Sequence, residues 1–116
     1  MNIKQFHIYL ADLEPGFGSE SGKVHPVVVV QADLLNSVGH RSTIICPITT
    51  QLFDEAEAFP LRIYLERKST GLRENSNIMV DQVRAIDNRR FIKRVGKLNS
   101  RHREKLIENL QIILFE

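Results

Sequence analysis

The order of apolar and polar residues divides the chain into short strands followed by one helix. Residues 5–13, "QFHIYLADL", alternate, with Phe6, Ile8 and Leu10 on one face and His7 and Tyr9 on the other, which predicts a strand. The run "PVVVVQ", residues 26–31, is short, β-branched and continuous, as in a strand buried on both faces. Three further strands are predicted: "RSTIICPITT" (41–50), "LRIYLE" (61–66) and "NIMVDQVRAI" (77–86).

The apolar period changes near the C-terminus. Five apolar residues follow positions i, i+1, i+4, i+7 and i+8 and form one stripe on a helix: Leu106, Ile107, Leu110, Ile113 and Leu114. Asn99 or Ser100 is available as its N-cap, and His102 in its first turn is expected to be solvated. Short helical turns are also expected within residues 32–39 and from residue 88 onward.

These elements predict a fold class that is mainly β with α. Five or more short strands and a terminal amphipathic helix favour a small, strongly bent antiparallel sheet or barrel that the helix plugs. The 116 residues suffice for one core, so we expect one domain spanning residues 1–116. Exposed sheet edges need covering, and a homodimer is a common solution.

Composition narrows the class of protein. No apolar run approaches the ~20 residues of a membrane span, and the first residues lack the pattern of a signal peptide. The single cysteine, Cys46, excludes a disulfide within the chain and fits a reducing cytoplasm. Its apolar neighbours favour a small buried strand residue over a nucleophile.

Charge is distributed unevenly along the chain. Residues 84–105 hold nine Lys or Arg against two acidic residues, whereas residues 1–83 hold seven against ten. Such a basic stretch can attract phosphates or an acidic partner, and it can equally be a solvated flank of the helix.

Two segments carry the candidate chemistry, because metal-ligand spacings, a P-loop and a nucleophile elbow are all missing from the sequence. The first is "GSESGKVHP" (18–26), before the second strand, and the other is "CPITTQ" (46–51), at the end of the third. In antiparallel neighbours the start of one strand lies beside the end of the other. His25 is therefore expected near Thr49, which would make a plausible pair for cleaving a phosphodiester.

The sequence resembles the MazF/PemK toxin family of sequence-specific endoribonucleases over essentially the whole chain. The densest matches lie in residues 8–33, 44–51 and 76–90, with "IYLADLEP", "HPVVVVQAD", "IICPIT" and "SNIMVDQVRAID" in order. The resemblance implies a twisted, barrel-like sheet with a C-terminal helix in a homodimer. It also implies cleavage of single-stranded RNA without metal or cofactor, by attack of the 2′-OH on the adjacent phosphorus to leave a 2′,3′-cyclic phosphate and a 5′-OH.

The family's catalytic positions fall on His25 and Thr49, with one departure. A basic residue before the proline of the second strand is normally arginine in this family, and here it is His25. Arginine is a permanent charge, whereas histidine can take and return a proton near neutral pH. His25 is thus expected to act as a general base, and the charge on the phosphorane would be stabilised by the Thr49 hydroxyl, Lys23 or backbone N–H groups of the loop. In PemK-like members of the family, catalysis uses an arginine in the fifth strand and a histidine in the first loop. These two positions hold Met79 and Ser19 here, so the MazF-type arrangement of catalytic residues fits the sequence better.

The remaining implied residues concern RNA and protein partners. Residues expected to contact RNA are Phe17, as a stacking platform, Ser19, Glu20, Lys23, and Asp81 with Gln82 as readers of base edges. The family implies an acidic, MazE-like antitoxin peptide that competes with RNA for an overlapping surface. An alternative is a toxin or degenerate relative that acts only by binding, as the CcdB-like gyrase poisons do on this fold.

Overall fold

The computed structural model describes residues 1–13, 23–52 and 61–115. Within those ranges the strands are β1 (His7–Asp12), β2 (Val24–Val29), β3 (Ser42–Thr49), β4 (Arg62–Leu65), β5 (Ser76–Met79), β6 (Arg84–Asp87) and β7 (Phe91–Lys97). The helices are α1 (Asp33–Ser37), α2 (Arg67–Thr70) and α3 (Ser100–Phe115), with 3₁₀ turns at Val80–Gln82 and Asn88–Arg90. None of the helices in these ranges is long and apolar enough to cross a bilayer.

The strands form one antiparallel sheet in the order β4-β5-β3-β2-β1-β7, and β6 pairs with β3 outside that path. Strand β3 is shared between two halves of the sheet. Its first residues pair with β6, from Ser42 opposite Asp87 to Ile45 opposite Arg84, and its last two pair with β5. The predicted fold class is confirmed, although "barrel" describes it loosely, because the strand order of the described residues ends at β4 and β7 without joining them.

Strands β1, β2 and β3 lie between two apolar clusters. Ile8, Val28 and Cys46 belong to the larger cluster, whereas Tyr9 and Val27 belong to a second cluster on the opposite face. This explains the uninterrupted valines of β2, since both faces of that strand are buried. The predicted polar face of β1 is wrong at Tyr9, which is fully buried; its hydroxyl donates to the Asn2 carbonyl and accepts from the Lys4 N–H.

Helix α3 closes the larger cluster with part of its apolar stripe. Leu106 is fully buried in that cluster, and Leu110 and Ile113 pack against it. Two members of the predicted stripe, Ile107 and Leu114, are exposed. Of the two candidate N-caps, Asn99 is the one used, because its Oδ1 accepts the His102 backbone N–H at 2.8 Å.

The His102 side chain is half-buried rather than solvated. Burial, followed by the nearby charges of Arg101 and Lys105, lowers the pKa of its imidazole.

The predictions for residues 77–97 needed two corrections. The single strand expected over residues 77–86 is interrupted by the 3₁₀ turn Val80–Gln82, which lets β5 pair with one end of β3 and β6 with the other. Strand β7 was not predicted. Its sequence "FIKRVGK" carries three cations and a glycine and lacks a clean apolar alternation, yet it is held beside β1 by backbone pairing.

Two glycines allow α2 to lie directly against β7. Gly71, which ends α2 with φ +83°, would place a Cβ 2.6 Å from the Val95 carbonyl oxygen. A Cβ on Gly96 would overlap the carbonyl oxygen of Thr70 and lie 2.8 Å from its carbonyl carbon. The two backbones are therefore closer than any side chain would permit, and this contact places the segment that leads into β5.

Candidate active site

A row of residues crosses the sheet at the end of β3. Thr49 pairs with Asn77 of β5, and Asn77 pairs with Tyr64 of β4. In the other direction Val27 pairs with Pro47 as the last pair of the β2–β3 ladder, and continuing that register by two residues would bring His25 opposite Thr49. Directly opposed residues of an antiparallel sheet point to the same face. The register therefore supports the expected proximity of His25 and Thr49.

The main chain around Thr49 holds the end of β3 in place. The Gln51 backbone N–H donates to Thr49 Oγ1 at 3.1 Å, and the Gln51 carbonyl accepts from the buried Asn77 amide at 3.4 Å. The hydroxyl thus accepts one bond from the chain, and its own proton can be donated to a bound group. Thr49 is half-buried, so it is close to solvent but fixed.

His25 stands near the start of β2, where the chain enters the sheet. It pairs with Ala11 of β1 and is half-buried. Lys23 lies two residues earlier and is exposed, and its carbonyl accepts the Leu13 N–H at 3.3 Å. Lys23 is the bend residue immediately before β2, so its backbone lies at the start of the strand that carries His25.

Asp81 lies on the same half of the sheet but is already bound. Its carboxylate forms an ion pair with Arg62 of β4, whose side chain is largely buried and also donates to the Leu61 carbonyl at 3.3 Å. Burial, and then the charge of Asp81, raises the pKa of the Cys46 thiol to about 12. The Asp81 carboxylate is thus within electrostatic range of Cys46, and Cys46 lies three residues, or about 10 Å of strand, before Thr49.

That pKa also settles the chemistry of Cys46. The thiol is buried and stays protonated at neutral pH, so the prediction that it is a structural strand residue rather than a nucleophile is confirmed.

Comparison with known proteins gives this arrangement a context. The profile of the family described as "PemK-like, MazF-like toxin of type II toxin-antitoxin system" matches residues 4–114. The endoribonuclease EndoA of Bacillus subtilis is 34% identical over 117 residues, which cover 98% of this chain and 96% of that protein. The chain belongs to the PemK/MazF toxin family.

Solved structures agree on the fold of this toxin. MazF from Deinococcus radiodurans superposes with a TM-score of 0.79 at 19% identity, covering 100% of this chain and 99% of that one. A mycobacterial endoribonuclease in complex with its cognate antitoxin superposes with a TM-score of 0.77 at 15% identity, covering 97% and 94%. The MazF-type architecture expected from the sequence is therefore confirmed.

The predicted site residues fall into three groups. His25 near the start of β2 and Thr49 at the end of β3 belong to neighbouring antiparallel strands, and Lys23 lies two residues before His25. Asp81 and Gln82 are exposed in the 3₁₀ turn after β5, displaced along the sheet from Thr49. Phe17, Ser19 and Glu20 lie outside the residues that the structure describes.

The site also contains residues that the sequence reasoning missed. Asn77 and the Gln51 backbone support Thr49, and Arg62 fixes the carboxylate of Asp81. Arg62 was detectable in principle, because the alternation of "LRIYLE" leaves it on the polar face of its strand. Its ion pair with Asp81 could not be predicted, because no sequence pattern links residue 62 to residue 81.

The basic stretch runs from β6 to the first turns of α3. Within it, Arg94 Nε donates to His7 Nδ1 at 3.0 Å, so the His7 imidazole is an acceptor. Burial, and then the Arg94 charge, lowers the pKa of His7. In the described ranges no group of three or more His, Cys, Asp or Glu side chains is placed to hold a metal ion.

Proposed function

We propose that this toxin is a sequence-specific endoribonuclease that cleaves single-stranded RNA by attack of a ribose 2′-OH on its own 3′ phosphate, without a metal or cofactor. The observation that carries the proposal is the antiparallel β2–β3 register, whose continuation by two residues beyond Val27 and Pro47 would set His25 opposite Thr49. The EndoA relative supports the class of reaction, since it is named an endoribonuclease and matches along nearly its whole length.

The residues divide the reaction between them. The His25 imidazole takes the proton of the 2′-OH, the O2′–P bond forms, and the P–O5′ bond breaks. The departing O5′ takes a proton from water and becomes the 5′-OH, and the phosphate remains as a 2′,3′-cyclic diester. Thr49 Oγ1, held by the Gln51 N–H, donates its proton to a non-bridging oxygen, and Lys23 supplies positive charge from the start of β2.

Recognition of the RNA sequence would involve a second set of residues. Gln82 presents an exposed amide in the turn after β5, and Asp81 presents a carboxylate that Arg62 has already oriented. An oriented carboxylate discriminates among base edges better than a mobile one, because it offers acceptors in one direction only. Phe17, Ser19 and Glu20, which precede Lys23 in the sequence, are proposed to complete the contacts with RNA.

The partners and setting follow from the family. Residues 1–116 are proposed to act as one domain, as a homodimer in the cytoplasm, with an acidic antitoxin as inhibitor. Among the structural neighbours, one endoribonuclease is bound to its cognate antitoxin, and MazF from Deinococcus radiodurans is bound to MazE. The basic stretch that includes β7 offers charge suited to an acidic peptide.

The test is cleavage of single-stranded RNA in EDTA, followed by analysis of the fragment ends. We expect 2′,3′-cyclic phosphate and 5′-OH ends, and loss of about 100-fold in rate in Thr49→Ala. Thr50→Ala is the matched control, because it removes the neighbouring, exposed hydroxyl and should leave the rate unchanged. Intact RNA at every pH, combined with binding to gyrase, would assign the chain to the binding toxins instead.

The role of His25 has its own test. A general base gives a rate that rises with pH as the imidazole loses its proton, so the wild type should show a sloping acidic limb. His25→Arg should flatten that limb while keeping a positive charge at the position. Identical pH profiles for the two proteins would remove His25 from the proton transfer.

A further inference from the structure

The row of residues that contains Thr49 continues to the edge of the sheet and ends at an exposed aromatic ring. Tyr64 lies two strands beyond Thr49, through Asn77, at about 10 Å from backbone to backbone. The Tyr64 side chain is 48% exposed, whereas its strand neighbours Ile63 and Leu65 are buried. An aromatic side chain is thus presented to solvent on the face that carries Thr49.

The ring borders a cleft with the chemistry of a nucleotide site. The cleft has a volume of about 320 Å³, which is within the range of small-ligand pockets. Besides Tyr64, its lining consists of Glu66, Ser69, Asn99, Arg101, His102 and Lys105. Arg101 and Lys105 are one helical turn apart on α3, so their cationic groups lie side by side.

We propose that Tyr64, with Arg101 and Lys105, forms a subsite for a nucleotide that flanks the cleaved bond of the RNA. The inference rests on the proposed endoribonuclease function and names further residues of the same substrate-binding face. A base stacks on the Tyr64 ring, and a neighbouring phosphate contacts the two cations. Single-stranded RNA is held in this way by aromatic faces and adjacent positive charge.

The geometry favours RNA over an acidic peptide as the occupant. Both ligands would use Arg101 and Lys105. Tyr64, however, lies in register with Thr49, and only an RNA that passes through the reaction centre needs a contact aligned with Thr49. The carboxylate of Glu66 on the same cleft can accept a hydrogen bond from a base amino group, a donor that an acidic side chain does not offer.

The first experiment measures binding. A single-stranded RNA whose cut has been mapped with the wild type is made resistant by a 2′-deoxy nucleotide at the attacking ribose, and its affinity is followed by fluorescence anisotropy. Stacking of one base predicts that Tyr64→Ala weakens binding by about 5- to 150-fold, while Tyr64→Phe stays within about twofold. Ile92→Ala is the control, because Ile92 in β7 is also 48% exposed but does not line the cleft. This variant should bind the RNA as tightly as the wild type.

The second experiment separates the phosphate contacts from general charge. Arg101→Ala and Lys105→Ala should each lower the slope of log affinity against log salt by about 0.7, as expected for one lost contact to single-stranded nucleic acid. Arg41→Ala removes an exposed cation next to the opposite end of β3 and should leave the slope unchanged. In cleavage assays Tyr64→Ala should raise KM and keep kcat, and removing nucleotides from one end of the RNA should abolish the difference between variant and wild type.

The possible failures are distinct. Cleavage by the wild type with equal affinities for Tyr64→Ala and Ile92→Ala overturns this subsite and leaves the nuclease in place. Unchanged RNA affinity with weakened inhibition by an acidic antitoxin peptide assigns the cleft to the antitoxin and also overturns it. A wild type that cleaves no RNA removes the proposed function, and the subsite with it.

Discussion

The close contact between α2 and β7 predicts that Gly96→Ala is strongly destabilising. The added methyl group would overlap the Thr70 carbonyl oxygen and lie 2.8 Å from its carbon, so a backbone rather than a flexible side chain must move. Burying one extra methyl group contributes about 0.8 kcal/mol at most. Overpacking against a fixed neighbour costs typically about 1–3 kcal/mol and sometimes more. Because a backbone carbonyl must move, we take the cost at the upper end of that range, and after the gain from the methyl group we expect a net loss of about 2 kcal/mol or more in the free energy of unfolding.

Two other glycines separate the contributions of space and backbone angle. Gly39 has φ +72° and open space around its would-be Cβ, so Gly39→Ala incurs only the left-handed backbone cost. That cost is about 1–2 kcal/mol, offset by about 0.4–1 kcal/mol from a less flexible unfolded chain. Gly71 combines a positive φ with the 2.6 Å contact to Val95, so Gly71→Ala should lose as much as Gly96→Ala or more.

Urea unfolding followed by circular dichroism measures all three variants. The midpoint should fall far more for Gly96→Ala and Gly71→Ala than for Gly39→Ala, and melting temperatures should fall by ~4 °C per kcal/mol. A Gly96→Ala protein within about 1 kcal/mol of the wild type would refute the reasoning, since it would mean that α2 can move off β7 at little cost.

Three further outcomes follow from individual side chains. The lowered pKa of His7 means that folding favours the neutral imidazole, so the stability it contributes is present above pH 6.5 and is lost as the pH falls through the lower folded pKa. Acidification from pH 7.5 to 5 should therefore lower the free energy of unfolding less in His7→Gln than in the wild type. Equal slopes of that free energy against pH would contradict this. Cys46, with a pKa of about 12, should resist a thiol reagent at pH 8 until urea unfolds the protein, and labelling of the native protein at the rate of a free thiol would contradict its burial. Asp81→Asn should change the preferred RNA sequence more than the maximal rate, as judged by sequencing the cut ends, because Asp81 lies in the 3₁₀ turn after β5 and not at the strand end that carries Thr49. An equal loss of rate on every sequence would instead make Asp81 part of the reaction centre.

The pattern of apolar and polar residues was sufficient to predict those strands and helices whose own residues carry a clear period. The valines of β2 and the apolar period of α3 specify a buried strand and an amphipathic helix by themselves. The antiparallel pairing of β2 with β3 was also predictable from their order along the chain, whereas the proximity of His25 and Thr49 that it would produce stays a prediction.

The structural features that this pattern could not predict depend on pairing between strands that are far apart in the sequence. Strand β7 is held by β1, more than eighty residues earlier, so its basic sequence can be a strand without an apolar face of its own. The burial of Tyr9 depends on a second cluster that includes Ile86. The break at Val80–Gln82 likewise reflects β3 exchanging partners, which no window around residue 80 contains.

Residues of the candidate site also depend on long-range contacts for their roles. Tyr64 reads as an ordinary solvent-facing residue of an alternating strand, and its relation to Thr49 appears only when β5 is inserted between β4 and β3. Arg62 acquires its role from a turn nineteen residues later.

The pairing of the first strand with the last also bears on how the toxin is made. While the polypeptide is still being synthesised, β1 lacks β7, β3 lacks β6, and the larger cluster lacks Leu106. A nascent chain therefore cannot assemble its sheet until nearly all of it has left the ribosome. A chain cut short before β7 would accordingly leave one edge of β1 unpaired, with backbone N–H and C=O groups open to association with other chains.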